Sequence, residues 1–227
     1  MKTITAERMR EIDRRCIQGL GLPGAVLMNN AGAAVFQEVR EGPVGVVCGK
    51  GNNGGDGYVV ARLALAAGHE TQVVLLAEPS EITGDAAIFL GVYRKMGGAV
   101  TVAVTPEAAR AAVAALASCR VLVDALLGTG AKGSVCEPMR AAIAAWPAVF
   151  TVAVDVPSGL NADTGVPDEV CIRADVTVTL HAAKPGFLAS RAAPYLGRLV
   201  VADIGIPGVC EEDSRWEQRS GEVDSFE

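Results

Sequence analysis

The sequence predicts an α/β fold: a mostly parallel, doubly wound sheet covered by helices on both faces and preceded by two helices. Short apolar runs rich in β-branched residues alternate with segments of helical periodicity from residue 44 onward. Polar, glycine-rich turns follow three of these runs, at residues 49–57, 124–134 and 155–165. Because the carboxyl ends of parallel strands meet at one edge of a sheet, these turns are expected to form one site.

The two leading helices are predicted over residues 5–20 and 25–39. Thr5 suits the N-cap of the first helix, and the glycines and proline of residues 19–24 end it. Their apolar side chains predict a face that the sheet leaves partly uncovered, and hence a homodimer. That face is formed by Met9, Ile12, Leu20, Val26 and Leu27.

The remaining elements are short and regular. Strands are predicted at residues 44–48, 71–76, 99–104, 121–125, 150–154, 176–180 and 198–201, with helices at 57–67, 84–96, 106–117 and 137–145. The strands are almost wholly apolar, which indicates a sheet buried on both faces. One domain is therefore expected over residues 1–210, followed by a polar, flexible tail over residues 211–227.

The composition limits the classes of function. The 227 residues carry a net charge of −6 without a stripe of Lys or Arg, so no nucleic-acid partner is expected. The N-terminus lacks the apolar core of a signal peptide, and no apolar run is long enough to span a bilayer. The six cysteines are scattered without a C-x-x-C pair, which is typical of a reduced, cytoplasmic protein.

The turn after the first predicted strand holds five glycines within nine residues, 49–57. Bare backbone at a helix N-terminus lets N–H groups approach a phosphate, which the helix dipole also favours. The spacing Gly49-x-Gly51-x-x-Gly54 matches a dinucleotide fingerprint, and Glu78 lies near the position of its ribose-binding acid. The same turn holds three polar side chains that a plain dinucleotide turn does not need: Asn52, Asn53 and Asp56.

Two further turns carry candidate ligands. Asp124 lies inside an apolar strand, where a carboxylate is costly unless it is paired or bound to a cation, although it could simply cap a turn. Asp155 and Ser158 follow the next strand. Asn53, Asp124 and Ser158 are oxygen donors with one carboxylate among them, which favours a monovalent cation over magnesium. Lys184, after the strand at 176–180, either faces the same cleft or pairs with a surface acid.

These motifs resemble the NAD(P)H-hydrate epimerase family, and the similarity covers residues 4–207. The most specific pieces are residues 51–57, Asp124 with 128–130, residues 155–160 and residues 184–186. In family members the helix before the first strand often reads M-E-N-A-G, whereas this chain has M-N-N-A-G at residues 28–32. The resemblance implies a Rossmann-like three-layer fold and a stand-alone epimerase or an N-terminal domain of a longer enzyme.

The activity that the resemblance implies is interconversion of the R and S forms of NADHX and NADPHX, nicotinamides hydrated at C6. It implies one potassium ion per subunit, held by Asn53, Asp124 and Ser158, and an ADP- or ATP-dependent dehydratase as a functional partner. Asp155 is the candidate catalytic residue, since one acid–base group can protonate the departing hydroxyl and deprotonate the entering water. The implied substrate-binding residues are Asn52, Asn53, Gly54, Gly55, Asp56, Gly128, Thr129, Gly130, Ala131, Lys132, Gly133, Ser134 and Asp155.

Two other functions stay open at this point. The glycine fingerprint and Glu78 favour an NAD-dependent dehydrogenase, although the chain has no second domain for a substrate and an acid–base histidine. A non-catalytic nucleotide- or protein-binding module is the other, although Asp155, Asp124 and Asn53 are all present.

Overall fold

The structure, a computed structural model, describes residues 2–131 and 133–213. Its seven strands are all parallel and form one sheet in the order β3-β2-β1-β4-β5-β6-β7. The strands are β1 Val44–Cys48, β2 Thr71–Leu75, β3 Ala99–Val102, β4 Val121–Ala125, β5 Phe150–Val154, β6 Val176–Leu180 and β7 Arg198–Ala202. The predicted fold class is confirmed, and the order reverses between β1 and β4, where such sheets bind ligands.

Helices cover both faces of this sheet. They are α1 Ala6–Arg14, α2 Gly24–Phe36, α3 Asn52–Ala66, α4 Gly84–Lys95, α5 Pro106–Ala114, α6 Met139–Ala144 and α7 Ala193–Leu196, and α1 continues as a π-helical turn over Arg15–Gly19. The side chains of β1 alternate between the two layers: Val46 packs in the core under α2, α3 and α4, and Val47 in the core under α5 and α6. Among the described helices, none combines the length and apolar character that a bilayer span needs.

The start of α3 corrects the prediction at residues 49–57. The helix begins at Asn52 rather than Gly57, so only residues 49–51 form the turn. The glycines are needed for close packing: a Cβ on Gly54 would lie 2.0 Å from the Gly49 carbonyl oxygen, and one on Gly57 would lie 2.5 Å from the Ala125 side chain. Local sequence predicts a loop for such a glycine cluster, whereas tertiary packing stabilises a helix there.

The predicted apolar face of the leading helices is largely covered within the chain. Met9, Ile12 and Leu27 pack in a core with C-terminal residues that include Ile204 and Cys210, and all are buried. Only Leu20 and Val26 of the predicted face are exposed. The face as predicted is therefore wrong in three of its five members, because residues 204–210 fold back over α1.

The start of the predicted tail contacts α1. Asp213 forms ion pairs with Arg8 and Arg15, and Glu211 pairs with Lys2. The rest of the predicted tail, residues 214–227, lies outside the described residues, as does the predicted substrate-binding residue Lys132.

Candidate active site

The three predicted turns meet at one edge of the sheet because β1, β4 and β5 are neighbours in it. Between them lies a cavity of about 530 Å³. The N-terminal turns of α3 and the loop after β4 form part of its wall. The predicted site residues that line it are Asn52, Asn53, Asp56, Gly128, Thr129, Gly130, Ala131 and Asp155.

A second cavity of about 640 Å³ adjoins the first. Both are lined by Arg10, by residues 127–129 and by Ala131, so the loop after β4 is a common wall. Gly133 and Ser134 line only the second cavity. Gly54 and Gly55 line neither, because both are buried against neighbouring residues at the start of α3.

Asp155 directly follows β5 and has a left-handed backbone, with φ of 64°. Such a conformation is uncommon outside glycine and is maintained here by the surrounding contacts. One carboxylate oxygen accepts a hydrogen bond from the Thr129 N–H at 3.2 Å. The other accepts from the Leu180 N–H and the Thr179 hydroxyl, both at 3.3 Å. The strained turn therefore aims this side chain at the junction of three loops.

Lys184 forms a buried ion pair with Asp155, at 2.9 Å between Nζ and Oδ1, and is itself 1% exposed. Its ammonium also donates to the carbonyls of Leu180 and Ala182. Of the two alternatives for Lys184, the structure selects the cleft. Burial opposes ionisation of Asp155, but Lys184 and the N–H donors outweigh it and hold the pKa of this carboxyl below its ordinary value. Asp155 is therefore ionised at neutral pH.

Asp56 lines the same cavity as Asp155, but its surroundings disfavour ionisation of its carboxyl. It lies in the second turn of α3, is 6% exposed and has no hydrogen bond or ion pair of its carboxyl among the described residues. Burial, followed by the negative charges of Asp155 and Asp13, raises its pKa well above the ordinary value for an aspartate. The surroundings of Asp56 therefore favour its protonated form.

Asp13 is a cavity residue that the sequence did not single out. It lies on α1, lines the cavity and is partly buried. Burial and then the charge of Asp155 raise its pKa from 3.8 to about 6. The sequence does contain a signal for Asp13: it is an acidic residue between Ile12 and Cys16, and both of these side chains are buried.

Asp124 and Ser158 are in direct contact beneath the cavity. The Ser158 hydroxyl donates to Asp124 at 2.6 Å and its N–H at 2.7 Å, and both side chains are almost fully buried. Burial raises the pKa of Asp124 to about 6, and the donors from Ser158 and Leu126 act in the opposite direction. The Ser158 hydroxyl also accepts from the Leu127 N–H at 3.0 Å.

Asn53 lies on the other side of the same loop, since a Cβ on Gly128 would be 2.9 Å from its Oδ1. Its Nδ2 is buried and has no hydrogen-bond partner in the part of the chain that the structure describes. The loop of residues 126–128 thus contacts all three of the predicted oxygen donors. No cluster of three or more His, Cys, Asp or Glu side chains suited to a metal occurs within the described ranges.

The dinucleotide fingerprint is only partly matched by the geometry. Glu78 is exposed, caps a short 3₁₀ turn over Pro79–Glu81 and does not line the cavity. Glu78 therefore caps a neighbouring turn and does not take the position of the ribose-binding acid of a dehydrogenase.

The chain is similar to proteins whose family is known. A family model described as YjeF-related protein N-terminus matches residues 24–186. A protein of Rhodopirellula baltica named NAD(P)H-hydrate epimerase is 40% identical over 212 residues, which cover 90% of this chain and 84% of that protein. The chain belongs to the NAD(P)H-hydrate epimerase family.

Other family members have a similar sequence identity to this chain and also align with most of it. The NAD(P)H-hydrate epimerase of Pirellula staleyi is 39% identical over 91% of this chain and 93% of its own length. The bifunctional NAD(P)H-hydrate repair enzyme Nnr of Moorella thermoacetica is 43% identical over 91% of this chain. The chain spans 41% of the length of that bifunctional relative.

The fold of the family is also seen in a solved structure. The crystal structure of yeast YNL200c superposes with a TM-score of 0.68 and 25% identity, covering 82% of this chain and 83% of that one. This likeness agrees with the parallel sheet and its two helical layers.

Proposed function

We propose that this family member interconverts the R and S forms of NAD(P)H hydrate at C6 of the nicotinamide ring. The observation that carries the proposal is the ionised Asp155, aimed by a strained turn into a cavity at the point where the sheet order reverses. The names of relatives that align over nearly their whole length support the same reaction.

The two adjoining cavities suit an extended dinucleotide. The first N–H groups of α3 lack partners within the helix, so they can donate to a diphosphate, and the helix dipole favours the negative charge. In this arrangement the hydrated ring occupies the cavity that contains Asp155, and the remainder of the substrate extends past residues 127–131 into the second cavity.

The reaction needs a base that accepts a proton from water at C6. The ring nitrogen expels the hydroxyl and forms a planar iminium, which water can attack from either face. Asp155 suits the role of base because Lys184 keeps it ionised, and because the Thr129, Thr179 and Leu180 donors fix its orientation. No hydride acceptor is required.

A potassium ion fits the oxygen donors beneath the cavity. Asn53, Asp124 and Ser158 would hold it through their side-chain oxygens, since Asp124 touches Ser158 and the loop of residues 126–128 contacts all three side chains. One carboxylate among neutral oxygens is a weak field for magnesium but adequate for a larger monovalent ion. When bound, the ion would offset the charge of Asp124, whose burial is otherwise costly.

The biological setting is proposed from the same relatives. We propose an ADP- or ATP-dependent dehydratase as the functional partner that consumes one epimer, in line with the bifunctional repair enzymes among the relatives. A cytoplasmic location is proposed from the six scattered cysteines without a C-x-x-C pair. A homodimer is proposed from exposed apolar side chains on the π-helical turn, α2 and α4, among them Ile17, Val26 and Ile88.

The direct test is exchange of purified R-NADHX into S-NADHX, followed by chiral chromatography or NMR. Wild-type protein should accelerate exchange, and Asp155→Asn should lower the rate by about 10²-fold or more, the usual scale for a general base. Exposed Asp203→Asn, outside the cavity, should match wild type. Absence of exchange, together with NAD reduction in the presence of an alcohol, would instead support a dehydrogenase.

A further inference from the structure

Two buried carboxyls from different elements line the cavity, and their surroundings differ. Asp155, after β5, is paired with Lys184 and accepts hydrogen bonds from three other donors. Asp56, in α3, is nearly as buried and has no partner for its carboxyl in the described part of the chain. An ionised carboxylate without a donor is costly in such a place, whereas a protonated carboxyl is tolerated.

Resting on the proposed function, we propose that Asp56 is the catalytic acid of the epimerisation and Asp155 the base. The family resemblance implies only a substrate-binding role for Asp56, and the simplest mechanism uses one residue, Asp155, for both proton transfers. The ion pair with Lys184 argues against a single residue in both roles, because it keeps Asp155 ionised before the reaction, so that Asp155 has no proton to give. The unpartnered Asp56 carboxyl supplies it.

The epimerisation passes through a planar iminium in two proton-coupled steps. Asp56 transfers its proton to the C6 hydroxyl, the C6–O bond breaks with its electron pair on the departing water, and the nitrogen lone pair forms the C=N bond of the iminium. Water then attacks C6 from the other face, Asp155 takes its proton, and the C=N pair returns to nitrogen. Asp155 passes that proton back to Asp56 through water in the cavity, and the reverse reaction retraces these steps, beginning with transfer of the proton from Asp56 to Asp155.

The electrostatic surroundings keep one proton on this pair. The charges of Asp155 and of Asp13 on α1, added to burial, raise the pKa of Asp56 and favour its neutral form. Asp13 on α1 and Asp85 on α4 also line the cavity, and Cys48, at the end of β1, interacts electrostatically with Asp56. The cations that line the cavity are Arg10, Lys50 and Lys184, of which Lys184 is buried and the other two are exposed. Because Lys184 bonds directly to Asp155, its charge favours ionisation there first. Carboxyls whose environments separate their proton affinities divide acid and base roles in this way.

The test compares Asp56→Asn and Asp56→Glu with wild type and with Asp203→Asn as an acid-to-amide control outside the cavity. Asp56→Asn should fold, by circular dichroism, and lower kcat for R-to-S exchange by about 10²-fold or more with KM little changed. Asp56→Glu, which restores an acid on a longer stem, should recover part of the loss. Release of the C6 hydroxyl, followed as heavy-oxygen uptake from labelled water, should fall in parallel.

Two further readouts separate acid catalysis from a structural role. Wild-type exchange should decline at high pH as Asp56 loses its proton, and this alkaline limb should vanish in Asp56→Asn. Infrared spectra of the free protein at neutral pH should show a buried carboxylic-acid band that Asp56→Asn loses and Asp203→Asn keeps.

The outcomes are distinguishable. If wild-type protein shows no exchange, the proposed function fails and the acid assignment fails with it. If wild type exchanges its substrate but Asp56→Asn retains kcat, or changes only KM, Asp56 is a binding residue and the inference is overturned while the function stands. An unchanged alkaline limb or a missing carboxylic-acid band overturns it equally.

Discussion

Asp13 is a carboxyl whose position on α1 costs stability at neutral pH. Its pKa is raised from 3.8 to about 6 by burial and then by the charge of Asp155, so folding favours the protonated form. The stability this group contributes is complete at low pH and is lost as the pH rises through about 6. The folded state therefore carries a penalty at pH 7 that the unfolded state lacks.

Asp13→Asn should remove this penalty. At neutral pH the variant should exceed wild type in free energy of unfolding by on the order of 2 kcal/mol, and the two should converge at about pH 4. Urea unfolding across this pH range measures the difference, with exposed Asp203→Asn as control. Parallel pH curves for Asp13→Asn and wild type would contradict the prediction.

The potassium site makes a prediction at the same scale. Replacing potassium by a bulky organic cation should lower Tm and weaken NADHX binding, because an ion that binds only the folded state stabilises it by mass action. Asp124→Ala should abolish the difference between the two salts. Identical Tm and Kd for wild type in both salts would argue against a bound potassium ion at Asn53, Asp124 and Ser158.

At the scale of elements, the packing of α2 on α3 positions the site. A Cβ on Gly32 would lie 2.4 Å from the Val59 side chain and 2.8 Å from the Asp56 carbonyl oxygen. Gly91, in α4, has open space at the same position. The two helical glycines therefore serve different purposes, since only Gly32 permits close approach of a neighbouring helix.

Gly32→Ala should destabilise the protein by about 1–3 kcal/mol, because the overpacking exceeds the gain in helix propensity. Gly91→Ala should be neutral or stabilise it by up to about 1 kcal/mol. Urea denaturation midpoints report both changes. A shift of the same sign for the two variants would mean that α2 and α3 are not held as closely as described.

At the scale of the whole molecule, exposed apolar side chains extend over the π-helical turn, α2 and α4. They include Ile17, Val26, Ile88 and Val92, each at least 38% exposed. Their number on neighbouring helices supports a second copy of the chain as the partner of this surface.

Light scattering should give twice the monomer mass of 23.3 kDa, and the double variant Val26→Glu with Ile88→Glu should shift it to the monomer. Leu188→Glu changes a side chain that is 65% exposed on a different part of the surface, and should leave the mass unchanged. A wild-type mass of one chain at micromolar protein would remove the dimer.

The sequence alone determined the sheet, the order of its turns and the ligand types they carry. Six of the seven predicted strands begin and end where the structure has them or differ by one residue, because β-branched apolar runs are a local signal. Asn53, Asp56, Asp124, Asp155 and Ser158 could be singled out for a similar reason: each polar side chain interrupts or follows an apolar segment.

Only the tertiary structure decided how these residues are paired. It placed Asp13 in the cavity, paired Lys184 with Asp155 and began α3 at Asn52. It also left the Asp56 carboxyl without a hydrogen-bond partner among residues 2–131 and 133–213. Each of these depends on contacts between segments far apart in the chain, which set burial and charge but leave no periodic trace in the sequence. Proton affinity follows from those surroundings, so the acid and base of the site became distinguishable only once the helices had packed on the sheet.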